Sequence, residues 1–278
     1  MLTLGLLYYN ARFYVPGIGR FANADTIVPD PVNPQQLNRY AYVLGNPLSY
    51  FDPTGHSCDS PESGDEYRAC QAQQDRQQQE KEILASTVQI IATAHVFMDG
   101  MWIPIVSRSH ATLKDGQYLV THNHFSFMEL IDQGFKVVID NVTLRTTEGK
   151  QLHGNWNDFT VHNFEEAPGT LLLDFGSQRL GRIAGRFGIQ SANFDNTMPV
   201  MGDEVAQINW DGQVSYVQWG KVIGGPKRSG TWIIELNSLT RGGASGGGVF
   251  FGRNHIGNNF YTGSTHSGAA LNPLAVTR

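Results

Sequence analysis

Beyond Ile83 the chain is organised as short apolar runs, at 87–91, 117–121, 135–139, 169–175, 214–219, 231–236 and 248–251. Turn signals such as Asp115-Gly116, Glu148-Gly149, Asp211-Gly212 and Gly224-Gly225-Pro226 separate them. Many short runs at this spacing predict an all-β barrel or sandwich. Residues 1–56 hold shorter runs, each closed by a turn signal such as Pro16-Gly17 or Asn46-Pro47, and read as strands and turns. Between the two, residues 57–82 are rich in glutamine, with Tyr67 the only aromatic residue, which describes a linker or a solvated helix. The pattern predicts three stretches: a β-rich piece at 1–56, a polar linker at 57–82 and an all-β domain at 83–278.

Composition sharpens this picture. Charged residues make up only 16% of the 278, and the 31 glycines exceed the usual share, so turn-rich β structure is favoured over helices laced with salt bridges. Six basic and ten acidic residues precede position 83, and 14 and 15 follow it. Neither part has the basic excess of a phosphate-backbone binder, so nucleic acid is not an expected partner. No apolar run reaches 18 residues, and the N-terminus lacks a basic segment before its short apolar stretch. Neither a membrane span nor a cleavable signal is expected. Cys58 and Cys70 can make at most one bridge, in an oxidising compartment, and leave localisation open.

The segments YYNARFYVPGIGRFANADT and NRYAYVLGNPLSYFDPTG, within residues 4–55, closely resemble the RHS-repeat-associated core that ends the shells of polymorphic toxins. The resemblance implies a variable toxin domain downstream and an autoproteolytic site at a DPxG motif, matched by Asp52-Pro53-Thr54-Gly55. His56 stands where the family has leucine, and the upstream shell is absent from this sequence. Self-cleavage is therefore expected to be weak or absent.

The sharpest chemical feature is Gly242-Gly243-Ala244-Ser245-Gly246-Gly247-Gly248, one serine among glycines directly before a hydrophobic strand. Glycines let a backbone turn bring N–H groups against a developing oxyanion, and Gly243 and Ser245 would supply the two donors. A glycine-rich hairpin is the plain alternative; a phosphate loop would need a lysine that is not there. Upstream, Asp115 to Phe125 ends a predicted strand with His122 and His124, either of which is a candidate base.

Together these two stretches resemble the signatures of chymotrypsin-like serine proteases, in that family's order, over roughly residues 84–275. The resemblance implies a double β-barrel with His124 as general base and Ser245 as nucleophile, facing one another across a cleft. It also implies an orienting aspartate, for which Asp174 is the first candidate and Asp158 the alternative; the strand that best matches the family has Gly169 where the aspartate belongs. Leu239, Thr240 and Phe260 correspond to the specificity pocket, without a carboxylate. Residues 259–263, including Phe260, correspond to the strand that pairs with substrate. Ala244 replaces the usual Asp or Asn before the serine, so activation by a new N-terminal amine is not expected. His95, in Ala92-Thr93-Ala94-His95-Val96, imitates the histidine motif and is read as a strand residue.

The function expected on these grounds is a serine endopeptidase, the effector of an RHS-type toxin, with a polypeptide substrate, an immunity protein as partner, and no metal or other cofactor. Two alternatives stay open. His122 and His124 could be a metal pair of an HNH-like nuclease, or the protease fold could be an inactive binding module.

Overall fold

The aromatic run near the N-terminus folds as a three-stranded antiparallel sheet, β1 (Leu7–Tyr9), β2 (Arg12–Val15) and β3 (Arg20–Phe21), in register Leu7↔Tyr14 and Tyr14↔Phe21. The computed structural model describes residues 5–9, 11–26, 37–45, 52, 64–123, 127, 130–131, 133–165, 169–176, 184–185, 187–228, 232–262 and 266–277. In this first unit the rings of Tyr9, Tyr14, Phe21 and Tyr42 meet mostly edge to face. Arg12 lies buried with its guanidinium 3.5 Å from the Phe21 ring centroid, 2.9 Å from Asp25 and 3.2 Å from Asp52. Burial lowers its pKa, and the two carboxylates oppose that shift. Asp52, the first residue of the DPTG motif, is thus held as the acceptor of a buried ion pair, while Pro53 to His56 lie outside the described residues.

The glutamine-rich stretch forms a helix, α1 (Gly64–Ala85), that runs past position 82. The chain divides into two compact units inside it, Met1–Gln78 and Gln79–Arg278. The closing turns of α1 belong to the larger unit: Ile83 is buried against Ala206, Ile208 and Phe250. Glu80 accepts from Trp219 Nε1 at 2.6 Å, and Glu82 accepts from Arg253 Nε at 2.9 Å. Those three contacts account for a helix in a segment whose composition alone marks it as solvated.

The larger unit is built from two seven-stranded sheets. The first contains β4 (Thr87–Met98), β5 (Met101–Lys114), β6 (Tyr118–His122), β7 (Lys136–Thr146), β8 (Gln151–Gly154), β9 (Thr160–Asn163) and β10 (Thr170–Asp174). Their order is β8-β7-β4-β5-β6-β10-β9, and the four-residue edge strands β8 and β9 do not pair with each other. This sheet forms a half-barrel, the first of the two expected barrels. Val88, Ile90, Ala92 and Ala94 alternate into its core beside Leu113, Leu119, Leu171 and Leu173, as the two-residue period of a strand requires. Leu172 points the other way and is covered by Val276 of the short closing helix Leu274–Thr277, so the unbroken run 171–173 is apolar because both faces are covered.

The second sheet comprises β11 (Asn193–Phe194), β12 (Glu204–Trp210), β13 (Ser215–Arg228), β14 (Trp232–Leu236), β15 (Gly248–Phe251), β16 (Asn254–Thr262) and β17 (Ser267–Leu271). Pairing of β16 with β17 closes six of these strands into a barrel, to which β11 adds in parallel. Val205, Val222, Ile234, Leu236, Val249 and Ile256 fill its core.

Candidate active site

Ser245 sits in a tight turn directly before β15. Ala244 N–H donates to Arg241 O at 3.0 Å and Gly247 N–H to Ala244 O at 3.0 Å, while Gly246 N–H reaches across to Asn259 O on β16 at 2.7 Å. Gly243 and Gly246 have φ of +95° and +76°, the left-handed region that L side chains rarely adopt. At Gly246 the need for glycine is also steric. A Cβ there would lie 2.3 Å from Thr121 Oγ1, 2.5 Å from His110 O and 2.6 Å from Ser109 Oγ, so the turn is pressed against β5 and β6 of the half-barrel. Ser245 itself is partly exposed, and Ala244 is wholly buried.

Both carbonyls flanking Ala244 are held from the half-barrel. Ser245 O accepts from the His110 backbone N–H at 2.8 Å and from Ser109 Oγ at 2.5 Å. Gly243 O lies 2.8 Å from His110 Nδ1, and His110 Nε2 lies 2.7 Å from Ser215 Oγ on β13. Burial pushes the His110 pKa down to about 4, with the bond to Gly243 opposing the shift, so the ring is neutral near pH 7.

The predicted acid does not join this cluster. β10 runs antiparallel to β6 with Thr170 opposite His122 and Asp174 opposite Tyr118. Asp174 is therefore four residues along the strand from the His122 end, about 13 Å at the usual rise, where its Oδ1 accepts from Gln117 Nε2 at 2.9 Å and from Gly176 N–H at 2.7 Å. Asp158 lies farther still in the same direction. It closes a 3-10 turn, Trp156–Asp158, ahead of Thr160, which pairs with Asp174, and its Oδ2 accepts from Asn155 N–H at 3.0 Å. Strand register thus removes both aspartates from the end of β6 at which the chain leads to His124. His124 itself lies outside the described residues.

His122 is buried at that end, its ring stacked on Phe260 at 5.8 Å and 29°. Among the described residues no group of three or more His, Cys, Asp or Glu side chains could hold a metal ion. Leu239 is exposed and Thr240 buried, in a loop fixed by Asn209, whose Oδ1 accepts from Arg241 N–H at 3.0 Å and whose Nδ2 donates to Leu239 O at 2.8 Å. The strand carrying Phe260 pairs with β17 along 257–262, while its ladder with β15 ends at Gly248↔Asn258. His95 lies in β4 and its Nδ1 is 2.7 Å from Asp140 Oδ2.

Sequence reasoning missed His110, Ser109, Thr121 and Asn209. Thr121 lies within the histidine stretch and the other three outside both signatures, and only the pairing of the two sheets brings them to the turn.

No protein-family model matches the chain, and no curated protein matches it. Solved structures do. Deg5 matches at 14% identity over 70% of this chain and 88% of that chain, with a TM-score of 0.49. A variant of the HtrA-type protease AlgW with a decapeptide matches at 15% identity over 69% of this chain and 61% of that one, with a TM-score of 0.51. The fold is the chymotrypsin-like double barrel. At this identity the likeness speaks for the fold alone. The half-barrel and the closed barrel of this chain correspond to the two barrels of that architecture, with the Ser245 turn where they join.

Proposed function

We propose that the double-barrel domain is a serine endopeptidase with Ser245 as nucleophile and His124 as general base. One observation carries the reading: Gly246, one residue after Ser245, is seated on Thr121, three residues before His124. The glycine-rich turn and the strand leading to His124 therefore meet in space as well as matching in sequence. His124 would take the Ser245 proton as Oγ attacks the scissile carbonyl, and the N–H groups of Gly243 and Ser245 would face the oxyanion. The acyl-enzyme would then be hydrolysed by water. Asp174 bonds Gln117 and the Gly176 backbone and Asp158 the Asn155 backbone, so in this reading neither would be needed to orient the imidazole. The motifs at 4–55 support the further reading that this domain is the effector of an RHS-type toxin, with a polypeptide substrate and a cognate immunity protein.

A second reading, an inactive protease-fold binding module, is favoured by one feature: Gly169 takes the place of the family's aspartate, and the His122 ring occupies the adjoining space. One experiment separates the two. Ser245 of the full chain should react with a fluorophosphonate probe, casein should be cleaved, and Ser245→Ala and His124→Ala should abolish both with the fold retained. Chelators should change nothing. Wild-type protein that refuses the probe and leaves casein intact would leave the binding module.

A further inference from the structure

Glycine at 243 permits the left-handed turn but supplies no side chain to hold it. An oxyanion donor is useful only if its direction is set before the reaction begins. The holding comes from outside the turn. The carbonyl oxygens of Gly243 and Ser245, the two residues whose N–H groups would meet the oxyanion, are both bonded to one residue of the half-barrel, His110. A carbonyl oxygen only accepts, so His110 Nδ1 carries the hydrogen, and in the neutral ring Nε2 accepts from the Ser215 hydroxyl. Gly243 O thereby fixes the tautomer, and Ser215 holds the ring rotation. Trp210 closes the remaining side, its ring 5.9 Å from that of His110 and its Cδ1 3.0 Å from where a Gly243 Cβ would stand.

We propose that His110 is a positioning residue for the oxyanion donors, its ring locking the peptide between Gly243 and Ala244 so that the Gly243 N–H is aimed at the substrate carbonyl oxygen. The other side of that peptide is already tied, because Ala244 N–H donates to Arg241 O. With both its polar groups bonded, only the two backbone dihedrals of Gly243 remain to direct the N–H, and the Trp210 ring restricts them. The proposal rests on Ser245 being the nucleophile. His110 touches neither substrate nor the reacting atoms, and acts wholly through the turn.

The test compares His110→Asn, His110→Gln, His110→Leu and Ser215→Ala with the wild-type full chain. It reads melting temperature, the rate of fluorophosphonate labelling at Ser245, and kcat and KM on a fluorogenic peptide that the wild type cleaves. Asparagine places an N–H donor near the position of Nδ1, whereas glutamine places its amide near Nε2. His110→Asn should stay within about 5-fold of wild type, while Gln and Leu lose about 10²-fold in kcat and labelling rate with KM within about 3-fold, the signature of a lost transition-state interaction. A packing role alone would instead follow the melting temperature, whatever the donor position. Leu or Gln variants that label at the wild-type rate, or an Asn variant that falls with them, overturn the proposal. Where the ring variants do not fold, Ser215→Ala decides: a loss of about 3-fold or more at an unchanged melting temperature supports the brace, and a wild-type rate overturns it. Wild-type protein that takes no probe rejects the protease reading itself, and with it any brace for an oxyanion.

Discussion

A Cβ built on Gly169 would lie 2.4 Å from Nε2 of His122. Gly169 also has φ +89° and accepts from Asn123 N–H at 2.8 Å, so any side chain here meets both backbone strain and the imidazole. Gly169→Ala should cost about 2–5 kcal/mol and lower the melting temperature by about 5–15 °C. Gly169→Asp should destabilise similarly without speeding probe labelling of Ser245. An aspartate variant that melts like wild type and labels faster would show that the place can take the family's acid.

Asp174→Asn is informative in the opposite direction. Loss of a triad carboxylate costs about 10⁴-fold in kcat in a protease that uses one. Since Asp174 bonds Gln117 and the Gly176 backbone at the far end of β6 and β10, its replacement should leave labelling within about 3-fold of wild type. A fall of 10³-fold would return Asp174 to the site.

Gly246→Ala should be more damaging than a methyl group suggests. The new Cβ would fall within 2.6 Å of Thr121 Oγ1, His110 O and Ser109 Oγ together, two of them side-chain atoms and one a backbone oxygen that cannot step aside. We expect the turn to lift from the half-barrel and labelling to drop at least about 10²-fold, with a lower melting temperature. Retained labelling would mean that the turn can work unseated.

Two buried histidines set an acid limit on stability. His110 is depressed to about 4 and His255 to about 3, each mainly by burial, against 6.5 for the ordinary group. The unfolded chain therefore binds protons that the folded chain refuses once the pH drops below about 6.5. Their contribution is fully present above that value and is lost as pH falls through 4 for His110 and 3 for His255, at up to about 1.4 kcal/mol per pH unit for each. Urea unfolding at pH 7, 5.5 and 4.5 should show this decline. His110→Asn should flatten it by about one proton, and an unchanged slope would mean that the ring is not held neutral.

Where neighbours in sequence are neighbours in space, the chain was readable. The runs at 87–91, 117–121 and 248–251 each contribute to strands, and the glycines around Ser245 do mark a left-handed turn. What escaped depended on pairing between segments far apart. Asp174 looked suitable by its separation from His124 and Ser245, but which end of β10 it occupies is decided by the antiparallel register with β6. His110 carries no local mark, because its importance comes from Gly243 and Ser245, more than 130 residues away. The helix was one of two readings of the glutamine-rich stretch, but its docking was hidden, since Glu80, Glu82 and Ile83 have their partners on the closed barrel.

The hairpin of β4 and β5 works as a ruler. Asp99 and Gly100 turn the chain with φ of +51° and +83°, and from Met98↔Met101 the two strands then count without a slip to Thr87↔Thr112. A two-residue turn of this kind fixes strand register. Which residue arrives opposite Gly243 and Ser245 is therefore settled about ten residues, or roughly 33 Å, along the hairpin from His110. One residue added or removed at that distant tip would deliver Ser109 or Ala111 to the berth of His110, and turn every later side chain of β5 onto its other face.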